Sequence, residues 1–170
     1  PWTYRAKGSF LLNKDAGTTK AETYTLETRA ERRIVDSLSG FAQVNYLRNV
    51  FGGFQNRYGA DLGAKYALID GPAHHFDVEL GLGGLFEERT DGTRNDFAAL
   101  KPALAYRWTI SPTAELSNVL GVIENLSQTN DWRLTNTTSL TTALTGILSA
   151  KVSFRVDHLN VPVAGKKRTD

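Results

Sequence analysis

The residues able to do chemistry in this chain are charged, and most of them stand at odd positions. Arg57, Asp61 and Lys65 are spaced by four, Asp77 and Glu79 by two, and Lys101, Arg107, Lys151 and Arg155 keep the same parity. Glu27, Arg29, Glu31 and Asp157 extend the set. In a β-strand alternate residues share a face, so an odd-numbered set gathers on one surface. Enclosed by a barrel, such charges could neutralise one another as a salt-bridged plug, line a narrow polar passage, or hold a charged solute. Inward Gly59, Gly63, Gly81 and Gly83 leave room for water, which keeps the passage as a reading beside the plug. The other reactive residues carry less. His74 and His75 are adjacent, so in a strand they point apart and cannot share a metal; they read as a surface pair at a turn. His158 lacks an evident serine and acid partner, so a lipid-hydrolase triad is not indicated. The chain has no Cys, which removes disulfides and thiolate chemistry. No catalytic residue, metal or cofactor is assigned, and no enzymatic role is expected.

The elements that must position these charges follow from the even positions. In FDVELGLGGLF (residues 76–86), Phe76, Val78, Leu80, Leu82 and Phe86 alternate with Asp77, Glu79, Gly81 and Gly83. This is the period of a strand with one apolar and one polar face. The same phase appears at Trp2–Leu12, Tyr24–Ala30, Tyr58–Leu68, Ala98–Ile110, Trp132–Leu144 and Leu148–Val156. Residues 38–50 and 113–126 alternate poorly but complete a set of nine strands. Pro102 lies mid-strand and lacks a ladder donor, so a bulge or local break is expected there. Asn118 and Glu124 fall on the apolar parity, which suggests a bulge that shifts register in the seventh strand. Asn136 and Thr138 also fall outward in the eighth, with nothing in the sequence to explain them.

Turn signals between the strands alternate between tight (34–39, 69–73, 110–113, 144–146) and longer polar stretches (13–20, 49–54, 88–96, 127–131 and the terminal segment). Short turns on one side and longer loops on the other mark an up-and-down membrane barrel. The alternating runs, about 10 to 15 residues, exceed the roughly 5–6 of typical soluble strands and suit tilted membrane strands. Aromatics near strand ends, Trp2, Tyr4, Tyr58, Tyr66, Phe76, Phe86, Trp108 and Trp132, match interfacial girdles. The reading is an all-β, up-and-down antiparallel transmembrane barrel with even positions toward lipid and odd positions toward the lumen. The alternative is a soluble, lipocalin-like barrel with its apolar parity turned inward around a hydrophobic ligand.

Composition is compatible with this. The 170 residues suit one domain; 20 basic and 18 acidic residues leave a net charge of +2, too weak and scattered for nucleic acid. No stretch approaches the 18 apolar residues of a membrane helix, and a mean hydropathy of -0.32 does not argue against strands that only alternate. The basic run Lys166, Lys167 and Arg168, with Arg89 and Arg94 in another loop, suits lipopolysaccharide phosphates or simply a solvated loop.

The segments PWTYRAKGSF, RNVFGGFQNRYGADLGAKYALIDGP and DWRLTNTTSLTTALTGILSAKVSFRVDHLNVPVAGKKRTD resemble the DUF481 family, known as salt-induced outer-membrane proteins of Gram-negative bacteria. The resemblance implies an outer-membrane β-barrel, porin-like in architecture, inserted by the outer-membrane assembly machinery, with no catalytic residues to transfer. It also implies a strand with a Ser-Gly-Asn-Thr type loop before Pro1 and a final strand after Asp170. Nine is odd where single-chain bacterial barrels are even. Two strands before and one after would make residues 1–170 the larger part of a twelve-stranded barrel. Open edges would otherwise invite a strand or an oligomeric partner from another chain.

Overall fold

The computed structural model describes residues 1–15, 18–145, 148–162 and 168–169, with the backbone alone over 13–15 and 18–21. Nine strands follow one another: β1 (Trp2–Asp15), β2 (Thr18–Val35), β3 (Leu38–Asn49), β4 (Phe54–Asp70), β5 (His74–Arg89), β6 (Arg94–Ser111), β7 (Ala114–Asn125), β8 (Trp132–Ala143) and β9 (Ser149–Leu159). They form one antiparallel sheet in sequence order, an up-and-down meander, and no helix is present among the described residues. The poorly alternating segments are full strands, β3 and β7, because pairing with two neighbours fixes them where their own pattern is weak.

The sheet is curled. Arg29 on β2 reaches Glu79 on β5 at 2.8 Å, and Arg133 on β8 meets Glu87 on β5, each across three strand steps. In a flat sheet three steps span about 14 Å, too far for such contacts. The odd face is therefore concave. Apart from Phe54, every buried core or polar residue in the strands is odd, including Arg29, Glu31, Asp61, Leu85, Glu87, Phe97, Ala99, Asn125, Arg133 and Ser139. The even apolar residues cover the convex face and stay exposed, among them Leu62 at 68%, Phe154 at 69% and Val152 at 73%.

Several expectations change. The loop expected over 13–20 shrinks, because β1 and β2 stay paired to Asp15↔Thr18. That over 88–96 reduces to 90–93, where Gly92 has φ 81° and Arg89 N–H donates to the Thr93 carbonyl at 2.9 Å. Connections 36–37, 71–73 and 112–113 remain shorter than 50–53, 90–93 and 126–131, but the last on their side, 144–148, is not tight. The β7 bulge is absent: the β6–β7 and β7–β8 registers run through it without a shift. Asn118 stays on the convex face, where its side-chain amide donates to Thr138 Oγ1 at 2.8 Å and Asn136 Oδ1 at 3.2 Å. The three outward polar residues satisfy one another, so no register shift is needed. At Pro102 the expected break is present, without a bulge. The β6–β7 ladder skips from Leu100↔Glu124 to Ala103↔Gly121 in the same register, while pairing to β5 continues through Leu80↔Pro102. The bulges lie at strand ends instead, between Arg33/Val35, Ala67/Ile69 and Thr109/Ser111 among others.

Candidate functional site on the concave face

Two layers of ion pairs cross the concave face. In the first, the Arg29 guanidinium forks onto Glu79, Nη1 to Oε2 at 2.8 Å and Nη2 to Oε1 at 3.0 Å, and Nη2 also reaches Glu31 at 3.1 Å. Lys65 completes the chain against Glu31, and Phe41 lies under the guanidinium at 3.8 Å. Two acids and two bases cancel. Beside them Lys101 Nζ sits 2.5 Å from Asp61. The strand period delivers these partners: residues 29 and 31 are neighbours on one face of β2, and curling brings that face toward β4 and β5.

Glycines make this packing possible. A Cβ on Gly63 would collide with the Phe41 ring and the Leu80 carbonyl, and one on Gly83 with Asp61 and the Ala60 carbonyl. The space at Gly59, Gly63 and Gly83, expected to admit water, is taken up by Asn45, Phe41 and Asp61. Gly81 is the exception, with only ordinary contacts around a Cβ placed there.

The second layer lies toward connections 50–53, 90–93 and 126–131 and centres on Glu87, 1% exposed. Arg133 pairs with both of its oxygens, Nη2 to Oε2 at 3.0 Å, and with Asp131 at 3.4 Å. Arg89 and Arg57 approach the same carboxylate at 3.6 and 3.9 Å. Asn125 holds Asp131 at 3.2 Å, and Phe54 and Phe97 flank Arg133. Three guanidiniums share two carboxylates. A cavity of about 820 Å³, lined in part by Lys7, Glu27, Asn45, Arg57, Lys101 and Arg155, lies beside the layers.

The charges singled out from sequence distribute unevenly. Arg57, Asp61, Lys65, Glu79 and Lys101 join the two layers. Arg107 pairs at 3.9 Å with Glu115, both half-exposed, and Arg155 forks onto Asp157 at 2.7 Å on an exposed stretch of β9. Asp77 is half-buried between Ala67 and Ala105, and Lys151 is exposed opposite Thr141. Sequence reasoning missed Glu87, Asp131 and the role of Arg133. Their odd parity is readable, but Glu87 stands beside one polar loop segment (88–96) and Asp131 within another (127–131). Trp2, Tyr58, Tyr66, Phe86 and Trp108 are exposed on the convex face, and Trp132 packs on His158 at 4.9 Å. His74 and His75 belong to β5 rather than to a turn: His74 stacks on Trp108 and bonds Tyr106 Oη at 2.8 Å, and His75 faces Asp70 at 2.8 Å. Lys166 and Lys167 lie outside the described residues; the Arg168 carbonyl accepts from Leu159 N–H. Between strands, Asp91 accepts from the Thr93 hydroxyl at 2.6 Å and its N–H at 2.9 Å, which holds its carboxyl below the usual carboxylate range. Among the described residues no group of three or more His, Cys, Asp or Glu is placed to hold a metal ion.

The uncharacterized protein YdiY of Escherichia coli (strain K12) is 22% identical over 151 residues, covering 88% of this chain. The chain spans 58% of the length of that relative. No solved structure matches it. The family model described as "Protein of unknown function, DUF481" matches residues 1–170, and the chain therefore belongs to the DUF481 family.

Proposed function

We propose that these residues are the larger part of an outer-membrane β-barrel that acts as an envelope structural protein, with an interior braced by ion pairs and no catalytic role. The observation that carries this reading is the exposed convex face. Leu62, Leu80, Leu82, Leu104, Leu140, Val152 and Phe154 leave large apolar side chains exposed on β4, β5, β6, β8 and β9, where a soluble monomer rarely gathers so many on one face. A lipocalin-like barrel would turn these residues inward, so their exposure favours a lipid solvent. The aromatic spacing supports it too. Phe76 and Phe86 end an apolar run of ten residue steps, about 34 Å along the strand, or about 26 Å of height at the usual tilt, close to the apolar band of such barrels.

Closure belongs to the same proposal. Among the described residues β1 pairs only with β2, and β9 pairs with β8 apart from a single bridge from His158 to Thr169, and lipid tolerates no such open edges. Further strands to a total of about twelve would close the barrel, an even number as expected. The cavity beside the ion-pair layers favours a second reading, a narrow conduit for small solutes. Planar-bilayer conductance of the full-length protein refolded in detergent separates the two. A folded, heat-modifiable barrel that passes no current supports the braced structural role. Steps whose ion selectivity moves with Lys101→Glu support the conduit instead. A protein that stays folded and soluble without detergent removes both.

A further inference from the structure

Small residues line part of the otherwise bulky convex face. Cross-strand pairing sets Ala30 beside Ala42 and Leu62, Thr28 beside Val44 and Ala60, and Arg32 beside Gly40 and Ala64. The first two rows sink a groove of about 530 Å³ between Val44, Leu62 and Leu82. A second groove of about 490 Å³ shares Ala30 and Ala42 with it and ends at Trp2, Arg32, Arg33 and Ile34. Together they follow β2 from Thr28 to Arg33, about 17 Å at the rise of an extended chain.

The end of this groove is basic. Arg32 and Arg33 are exposed, Arg32 lies over the Trp2 ring at 5.6 Å, and among the described residues no ion pair engages either guanidinium. Two free forks at the mouth of an apolar channel match one phosphate attached to one acyl chain. Arg33, of opposite parity and paired with Ser39, also lines this mouth beside Arg32, next to the register shift between Arg33 and Val35.

We propose that this groove binds a single anionic glycerophospholipid, with an acyl chain over Ala30, Ala42 and Ala60 and the phosphate between Arg32 and Arg33. The proposal rests on the membrane reading above. The groove opens beside connection 36–37, at the end of the sheet that also carries the short connections 71–73 and 112–113. In barrels of this type that is the inner side, where the bilayer is built of glycerophospholipid, and it lies opposite the end bearing Arg168. A zwitterionic lipid brings its own ammonium to the phosphate and gains less from two guanidiniums.

The test is native mass spectrometry of the full-length protein in non-ionic detergent, titrated separately with phosphatidylglycerol, phosphatidylcholine and lipid A. One phosphatidylglycerol adduct should persist, held about tenfold more tightly than phosphatidylcholine, as expected for charge-assisted pairing. Arg32→Gln with Arg33→Gln should abolish that preference, whereas Ala42→Leu should fill the groove and release both phospholipids. Ala42→Ser, which keeps the groove open, should behave as the parent, and heat-modifiability of each variant reports folding independently. Equal adducts of all lipids, untouched by these substitutions, would overturn the site while leaving the barrel intact. A protein folded without detergent would instead refute the membrane reading beneath it.

Discussion

Glu87 holds together the end of the concave face that carries connections 50–53, 90–93 and 126–131. Its carboxylate faces Arg133 through both oxygens and is approached by Arg57 and Arg89, so removing it leaves three guanidiniums with Asp131 alone. Breaking a buried pair by deleting one partner typically costs about 3–5 kcal/mol. Glu87→Gln is expected to destabilise the fold by that order in urea refolding titrations. Glu115→Gln, which disturbs only the half-exposed contact with Arg107, should change stability by less than about 1 kcal/mol. At this scale the sequence is only partly informative. Parity marks which charges share a face, and so identified Arg57, Asp61 and Lys101. It says nothing about which partner lies three strands away, because that depends on curvature. Glu87, beside a polar loop segment in the sequence, is more buried than any charge singled out, and curvature alone reveals its partner on β8.

Strands are the most legible level. Phase held along seven of the nine strands, where apolar residues recur at every second position, whereas β3 and β7 alternate poorly and are placed by their neighbours. Boundaries were less legible, because polar ends such as Asn13–Asp15 and Arg94–Asp96 pair as well as apolar ones once a neighbour supplies the ladder. The outward polar residues misled for a related reason. Asn118, with Glu124, looks like a register shift, and Asn136 and Thr138 have no explanation taken singly. Asn118, Asn136 and Thr138 become a bonded trio only when β7 and β8 are laid side by side. Two predictions belong to this scale. Gly83→Ala places a methyl against the Ala60 carbonyl and Asp61, and should cost about 1–3 kcal/mol as an overpacking change. Leu62→Arg on the exposed convex face should cost about 2–4 kcal/mol when measured by guanidinium titration in lipid, if that face meets the bilayer midplane. The same change assayed in a soluble barrel would be nearly neutral.

At the scale of the whole molecule, curvature turns an alternating sequence into two surfaces of opposite character, one charged and largely self-neutralised, one apolar and open. The ion-pair layers and the collisions a Cβ would meet at Gly63 and Gly83 show a concave face filled by its own side chains, with a cavity left beside them. That filling is why the braced reading is preferred to an open pore. The central claim is that even positions face lipid and odd positions face a polar interior. Residues 1–170 contain no cysteine, so single cysteines introduced along residues 59–66, with any cysteine outside these residues replaced, can be spin-labelled in the full-length protein reconstituted into vesicles. Accessibility to dissolved oxygen and to a polar nickel chelate should alternate with period two, oxygen favouring labels at positions 60, 62 and 64 and the chelate those at 61 and 65. Equal access of the chelate at 60, 62 and 64 would mean that the apolar face meets water, and would contradict the account.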